Sequence, residues 1–208
     1  MNAGRIRNSR WPWCTFGLVA FALAVSFAPG VAVLLQYDRL AVSGGEFGRL
    51  FTGQWVHWTT RMAILDLGAV LILGACLERE SRSLLLRGLL AGALATGLGI
   101  HLLAPQIAIY RGASGVATTL LVLVALRALR VPGVLPVRAA AAVALVLVAA
   151  KIVWETGSGG ALAAGSLPAG VSVVPIAHLL GGLAAVGVFS RRAWAGPPAG
   201  TSCPVQVN

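Results

Sequence analysis

Apolar runs long enough to cross a bilayer follow one another along almost the whole chain, and this limits the available folds more than any other feature. A hydrocarbon core about 30 Å thick needs roughly 20 consecutive apolar residues in a helix. Inside it, every backbone N–H and C=O must be paired within the segment. Six such runs can be marked off, at 13–35, 58–77, 84–103, 113–129, 139–154 and 173–189. The expected fold class is all-α, a membrane protein built as a six-helix bundle. Only 11% of the residues are charged and mean hydropathy is +0.86, whereas soluble domains carry about a quarter charged residues. Six spans in 208 residues leave no room for a separate soluble domain.

The boundaries follow from polar breaks. Residues 1–12 form a basic N-terminal segment with Arg5, Arg7 and Arg10, and 13–192 form the membrane domain. The first run is longer than the 7–15-residue core of a signal peptide and lacks a small-x-small site at its end, so it is read as a retained helix. A polar loop at 36–57 leads to the second run, which Glu78-Arg79-Glu80-Ser81-Arg82 stops. Pro105 ends the third, because proline lacks a backbone donor. A Gly-, Ser- and Ala-rich loop at 157–172 precedes the sixth run, and residues 193–208 read as a disordered cytoplasmic tail.

A net charge of +10 in a soluble chain would suggest nucleic acid. Here Arg79, Arg82, Arg87, Arg127, Arg130, Arg138, Arg191 and Arg192 join the N-terminal arginines on one set of alternate loops. The opposite set holds only Arg39, Arg49, Arg61, Arg111 and Lys151. Positive-inside bias places both termini in the cytoplasm, and the expected partner is lipid rather than nucleic acid. Trp55, Trp58 and Trp154 fall where outer-face aromatic anchors belong. Cys14, Cys76 and Cys203 are far apart, so neither a metal site nor a disulfide framework follows.

Polar side chains within such runs are costly unless paired or used. The candidates are Asp66, His101, Ser114, Thr118, Thr119 and His178. Ser114 opens the fourth run between Gly112 and Gly115, in a first helical turn whose unpaired N–H groups favour negative charge. An oxyanion formed by its attack on a carbonyl would find donors there. A serine that merely caps a helix among small packing residues has the same sequence. His178 lies near the start of the sixth run, at matching depth, with Ala177 and Gly181 on one helical face to permit close packing. If that face meets the fourth helix, the imidazole can serve Ser114 as general base. Lys151 and Glu155, four apart, form a helix-surface ion pair or shape a substrate entrance.

Gly112-Ala113-Ser114-Gly115 followed by Ala177-His178-Leu179-Leu180-Gly181 resembles the two signature motifs of the rhomboid intramembrane serine proteases. Phe51-Thr52-Gly53, Val56-His57-Trp58, Asp66-Leu67 and Leu73-Gly74-Ala75-Cys76-Leu77-Glu78 add to the likeness, which covers residues 46–188. Tyr110-Arg111, Lys151-Ile152-Val153-Trp154-Glu155-Thr156-Gly157 and Val174-Pro175-Ile176-Ala177-His178 are most similar to the rhombosortase branch. The resemblance implies a Ser114 nucleophile and a His178 base without an aspartate partner, and needs no cofactor or metal. It implies membrane-anchored protein substrates, with Gly-Gly-containing C-terminal anchors of exported proteins as the branch's targets, at the bacterial inner membrane.

The chain departs from the family at the oxyanion site. A histidine and an asparagine four residues later are usual on the second helix, where this sequence has Met62 and Asp66. Methionine cannot donate. The Ser114 N–H is then the main donor, with Asp66 (which donates only when protonated), His57 or Arg61 in support. That departure keeps open an inactive rhomboid-like protein that binds membrane clients. A small transporter is the third class, and few charged residues near mid-run speak for it.

Overall fold

The computed structural model describes residues 11–132, 134–160, 171 and 174–194, with side chains through 190. The basic segment before Trp11, most of the 157–172 stretch, Cys203 and the tail beyond 194 lie outside the described residues. In chain order the elements are α1 (Trp13–Ser26), α2 (Pro29–Leu35), β1 (Tyr37–Asp38), α3 (Arg39–Ser43), α4 (Arg49–Thr52), a 3₁₀ turn (Gly53–Trp55), α5 (Thr60–Glu80), α6 (Arg82–Leu103), β2 (Ile109–Tyr110), α7 (Ser114–Ala128), α8 (Leu135–Ser158) and α9 (Pro175–Trp194). The described chain is predominantly helical. Helices α5, α6 and α8 are long and apolar enough to cross a membrane, and α1 with α2 makes a fourth candidate if the bent pair is one span. Helices α7 and α9 are apolar but shorter in that respect.

Each apolar run has become helix, with differences at the ends. The first run is not one helix: α1 and α2 meet at a 111° bend. Pro29 explains it, since its ring would clash with the carbonyl of Val25 and it has no N–H to bond there. The stretch 36–57 is not an open loop but folds through β1, α3, α4 and the 3₁₀ turn. It carries its own apolar residues, Tyr37, Val42, Leu50, Trp55 and Val56, all buried. Trp55 is therefore a core residue packed on Phe51 and not an interfacial anchor. Trp154, by contrast, is exposed.

Helix ends in an apolar medium leave backbone groups unpaired, and here side chains from distant segments close them. The N-terminus of α1 has no cap of its own. Glu78 reaches from α5 to accept from the N–H groups of Cys14 and Thr15 and from the Thr15 hydroxyl. That inward turn explains why α5 continues past Leu77 to Glu80. Ser81 then ends α5 in extended conformation and caps α6 by accepting from the Leu84 N–H. At the other end of α6, the Arg39 guanidinium donates to the carbonyls of Ile100, His101 and Ala104, and to Ile107 beyond. The antiparallel pair β1–β2, with Tyr37 opposite Tyr110, fastens the segment that leads into α7.

Helix α7 is central and packs against α5, α6, α8 and α9. Helix α8 is the outlier, with Ala141 and Glu155 its buried residues and Val143, Val146, Leu147 and Val153 exposed. So broad an apolar surface would drive association in water.

Candidate active site

The chain approaches α7 through Tyr110, Arg111 and Gly112. Gly112 has φ +142°, a conformation that glycine alone adopts without strain, and donates to Gly53 O at 3.2 Å. The next N–H, of Ala113, points to His57 Nε2 at 3.4 Å. With Nε2 accepting, the His57 proton sits on Nδ1 and is directed at Ser26 Oγ, 3.1 Å away, whose own hydroxyl donates to Trp55 O. His57 thus anchors the backbone immediately before Ser114. Asp66 Oδ2 lies 3.5 Å from His57 Nε2. A side chain on Gly112 would meet Asp66, Met62 and the Tyr110 hydroxyl, so these three surround the bare Cα of that residue.

At the start of α7, the first intrahelical bond is Ala117 N–H to Ala113 O, 2.8 Å. The N–H groups of Ser114, Gly115 and Val116 have no acceptor within the helix, as in any first turn, and the aligned peptide dipoles add positive potential there. The Tyr110 hydroxyl faces the Ser114 side chain, is fully buried and has no well-formed hydrogen bond among the described residues. Burial pushes this phenol far above its usual range, the Ser114 hydroxyl opposing only in part. It therefore stays protonated and available as a donor. Arg111 leaves the site: it stacks on Trp58 at 4.3 Å and donates to Gln36.

Helices α7 and α9 touch backbone to backbone. The Cα of Gly115 lies against Ala177 O and the Thr96 side chain, and the Cα of Gly181 lies against Gly115 O. The Thr119 hydroxyl bridges the two helices, 2.9 Å from Gly181 O and 3.1 Å from Gly115 O. Any side chain at Gly115 or Gly181 would separate them. This is the approach that Ala177 and Gly181 suggest at i, i+4, and it sets Ser114 and His178 each one residue from the same contact.

The His178 ring, 7% exposed, meets α8 rather than Ser114. Its Nδ1 lies 3.2 Å from Glu155 Oε2, and Lys151 Nζ lies 3.4 Å from Nδ1 and 3.2 Å from Nε2. Lys151 and Glu155 are themselves paired at 2.7 Å. Among the described residues no hydrogen bond links Ser114 Oγ to His178. His101 belongs elsewhere, bonded to the Tyr37 hydroxyl at 3.1 Å. Thr118 donates to Ser114 O. No cluster of three or more His, Cys, Asp and Glu able to hold a metal ion occurs among the described residues.

Sequence reasoning missed Tyr110 as a buried hydroxyl at Ser114 and Thr96 as the floor beneath Gly115. It anticipated the Lys151–Glu155 pair but not its contact with His178. The available signal was two charges in an otherwise apolar run. No protein-family model matches the chain, and no curated protein matches it in sequence.

Proposed function

We propose that this chain is a rhomboid-type intramembrane serine protease, a six-span bundle with cytoplasmic termini, in which Ser114 is the nucleophile and His178 its general base. The observation that carries the reading is the bare backbone contact of Gly115 with Ala177 and Gly181, which draws the unpaired N-terminal amides of α7 beside the start of α9. The reading requires the Ser114 hydroxyl to meet the imidazole in the substrate complex, and such catalytic bonds are often long before substrate binds. The hydroxyl oxygen attacks the scissile carbonyl while His178 accepts its proton. The oxyanion is held by the Ser114 N–H, with Tyr110 Oη supplying the donor that Met62 lacks. His178 then protonates the leaving amine, and water hydrolyses the acyl-enzyme.

The substrate is a membrane-anchored protein segment, unwound near the outer face. Helix α7 is about 22 Å long at 1.5 Å per residue, shorter than the hydrocarbon core. Because α5, α6, α8 and α9 pack around it, it need not span that core. The rhombosortase likeness points to exported proteins with Gly-Gly C-terminal anchors at the bacterial inner membrane.

The second reading is a client-binding protein without proteolysis. One observation favours it: the imidazole is engaged by Lys151 and Glu155 and not by Ser114. Labelling with a fluorophosphonate probe separates the two. The protease reading expects labelling that Ser114→Ala and His178→Ala each abolish, together with cleavage of a co-expressed Gly-Gly-anchored substrate. Cleavage that survives either substitution, or a wild-type protein that stays unlabelled and uncleaving, rejects it.

A further inference from the structure

A helix facing lipid has little reason to bury a carboxylate, because removing it from water costs several kcal/mol unless partners replace the lost hydration. Helix α8 nevertheless buries Glu155 to 3% exposure, at the end of the face whose residues Ala141, Ala144, Leu145, Val148 and Ile152 are buried or half-buried against the bundle, where an apolar side chain would serve as well. An i, i+4 pair with Lys151 could form as well on the outer surface, so pairing with Lys151 does not account for the burial. The inward orientation brings Glu155 into contact with His178, 3.2 Å from Nδ1 to Oε2.

Resting on the protease reading above, we infer that Glu155 is a positioning residue for His178, converting the Ser–His pair into a Ser–His–Glu triad with Lys151 as its counter-charge. A carboxylate at Nδ1 holds the imidazole proton there and leaves the Nε2 lone pair for the serine hydroxyl, the arrangement by which a third residue orients the base in serine hydrolases. Lys151 Nζ is nearly equidistant from both ring nitrogens. The ammonium therefore stands to the side of the ring, off the axis along which Nε2 would accept a proton. Helices α6 and α7 meet α9 here through Thr96, Gly115 and Thr119, none charged. Among the described residues the charges on the ring are thus the two from α8, of opposite sign and similar distance. The contribution assigned to Glu155 is therefore orientation of the ring.

The test uses the full-length protein in proteoliposomes, with cleavage of a Gly-Gly-anchored substrate and fluorophosphonate labelling as paired readouts. Loss of the orienting carboxylate from a serine triad costs about 10⁴ in kcat. Glu155→Gln is therefore expected to lower kcat by up to about 10⁴-fold with KM little changed, and to move the acid limb of the rate profile to lower pH. Glu155→Asp is expected to recover part of the rate, and Lys151→Gln to move the acid limb to higher pH. The double variant Lys151→Met, Glu155→Met replaces the pair by apolar groups of similar size, which keeps the packing, and is expected to remain folded but slow. A Glu155→Gln protein with wild-type kcat and profile overturns the triad. So does an equal loss in every variant with no displacement of the limb, since that is the mark of a purely structural role. A wild-type protein with no Ser114-dependent labelling or cleavage overturns the protease reading first, and the triad with it.

Discussion

Tyr110 is the residue whose chemistry is least expected for its surroundings. Its hydroxyl is buried at the mouth of α7, faces Ser114 and forms no well-made hydrogen bond among the described residues. An unsatisfied buried polar group costs about 1–3 kcal/mol, so its presence calls for a use, and donation to an oxyanion is the one the geometry offers. Tyr110→Phe is therefore expected to lower the cleavage rate about 10²-fold while leaving thermal unfolding unchanged or slightly raised, since no bond is lost. A rate equal to wild type removes Tyr110 from the site. Ser114 and His178 could be picked from the sequence because each is a lone polar residue among small ones inside an apolar run. Tyr110 could not, because an aromatic before a helix is ordinary, and Glu155 was legible only as the partner of Lys151, since its contact with His178 depends on a neighbouring helix. His57 shows the same limit from the other side. It was legible as polar support near the site, but its hold on the Ala113 N–H depends on the fold of 36–57.

At the scale of helices, the α7–α9 contact decides whether a site exists at all. A Cβ at position 181 would collide with Gly115 O, a backbone atom that no rotamer change can move. Gly181→Ala should push α9 away from α7, lower stability by about 1–3 kcal/mol and abolish cleavage. The neighbouring Gly182 has open space around its Cα. Gly182→Ala should be neutral, or stabilising by up to about 1 kcal/mol from helix propensity, with activity kept. Thermal unfolding in detergent and substrate cleavage measure both. Equal tolerance at the two positions would mean that the helices are not in contact there. The Ala177/Gly181 spacing predicts such a face from helical periodicity alone. Its partner, and the Thr119 bridge across it, come only from assembly.

For the molecule as a whole, six crossings require both ends of the chain on the same side. Reporter domains fused ahead of Trp11 and after Trp194 are expected to be active on the cytoplasmic side together, and opposite locations would remove the six-span topology. Three long apolar helices, the bent pair and two shorter helices correspond to the six runs. The shorter ones are those that other helices enclose or adjoin, and a helix shielded from lipid is free of the length that the bilayer otherwise imposes. What the sequence by itself determined was which segments become helix, since apolar run length, proline and the polar breaks act locally along the chain. It also singled out the serine and histidine, which stand alone in apolar surroundings. Only the tertiary structure decided what those groups touch. The closing of the α1 end by Glu78, the bond of Ser26 to the Trp55 carbonyl and the carboxylate of Glu155 beside His178 each join residues dozens of positions apart or on separate helices. Such contacts arise from packing, and no local pattern encodes which faces will meet.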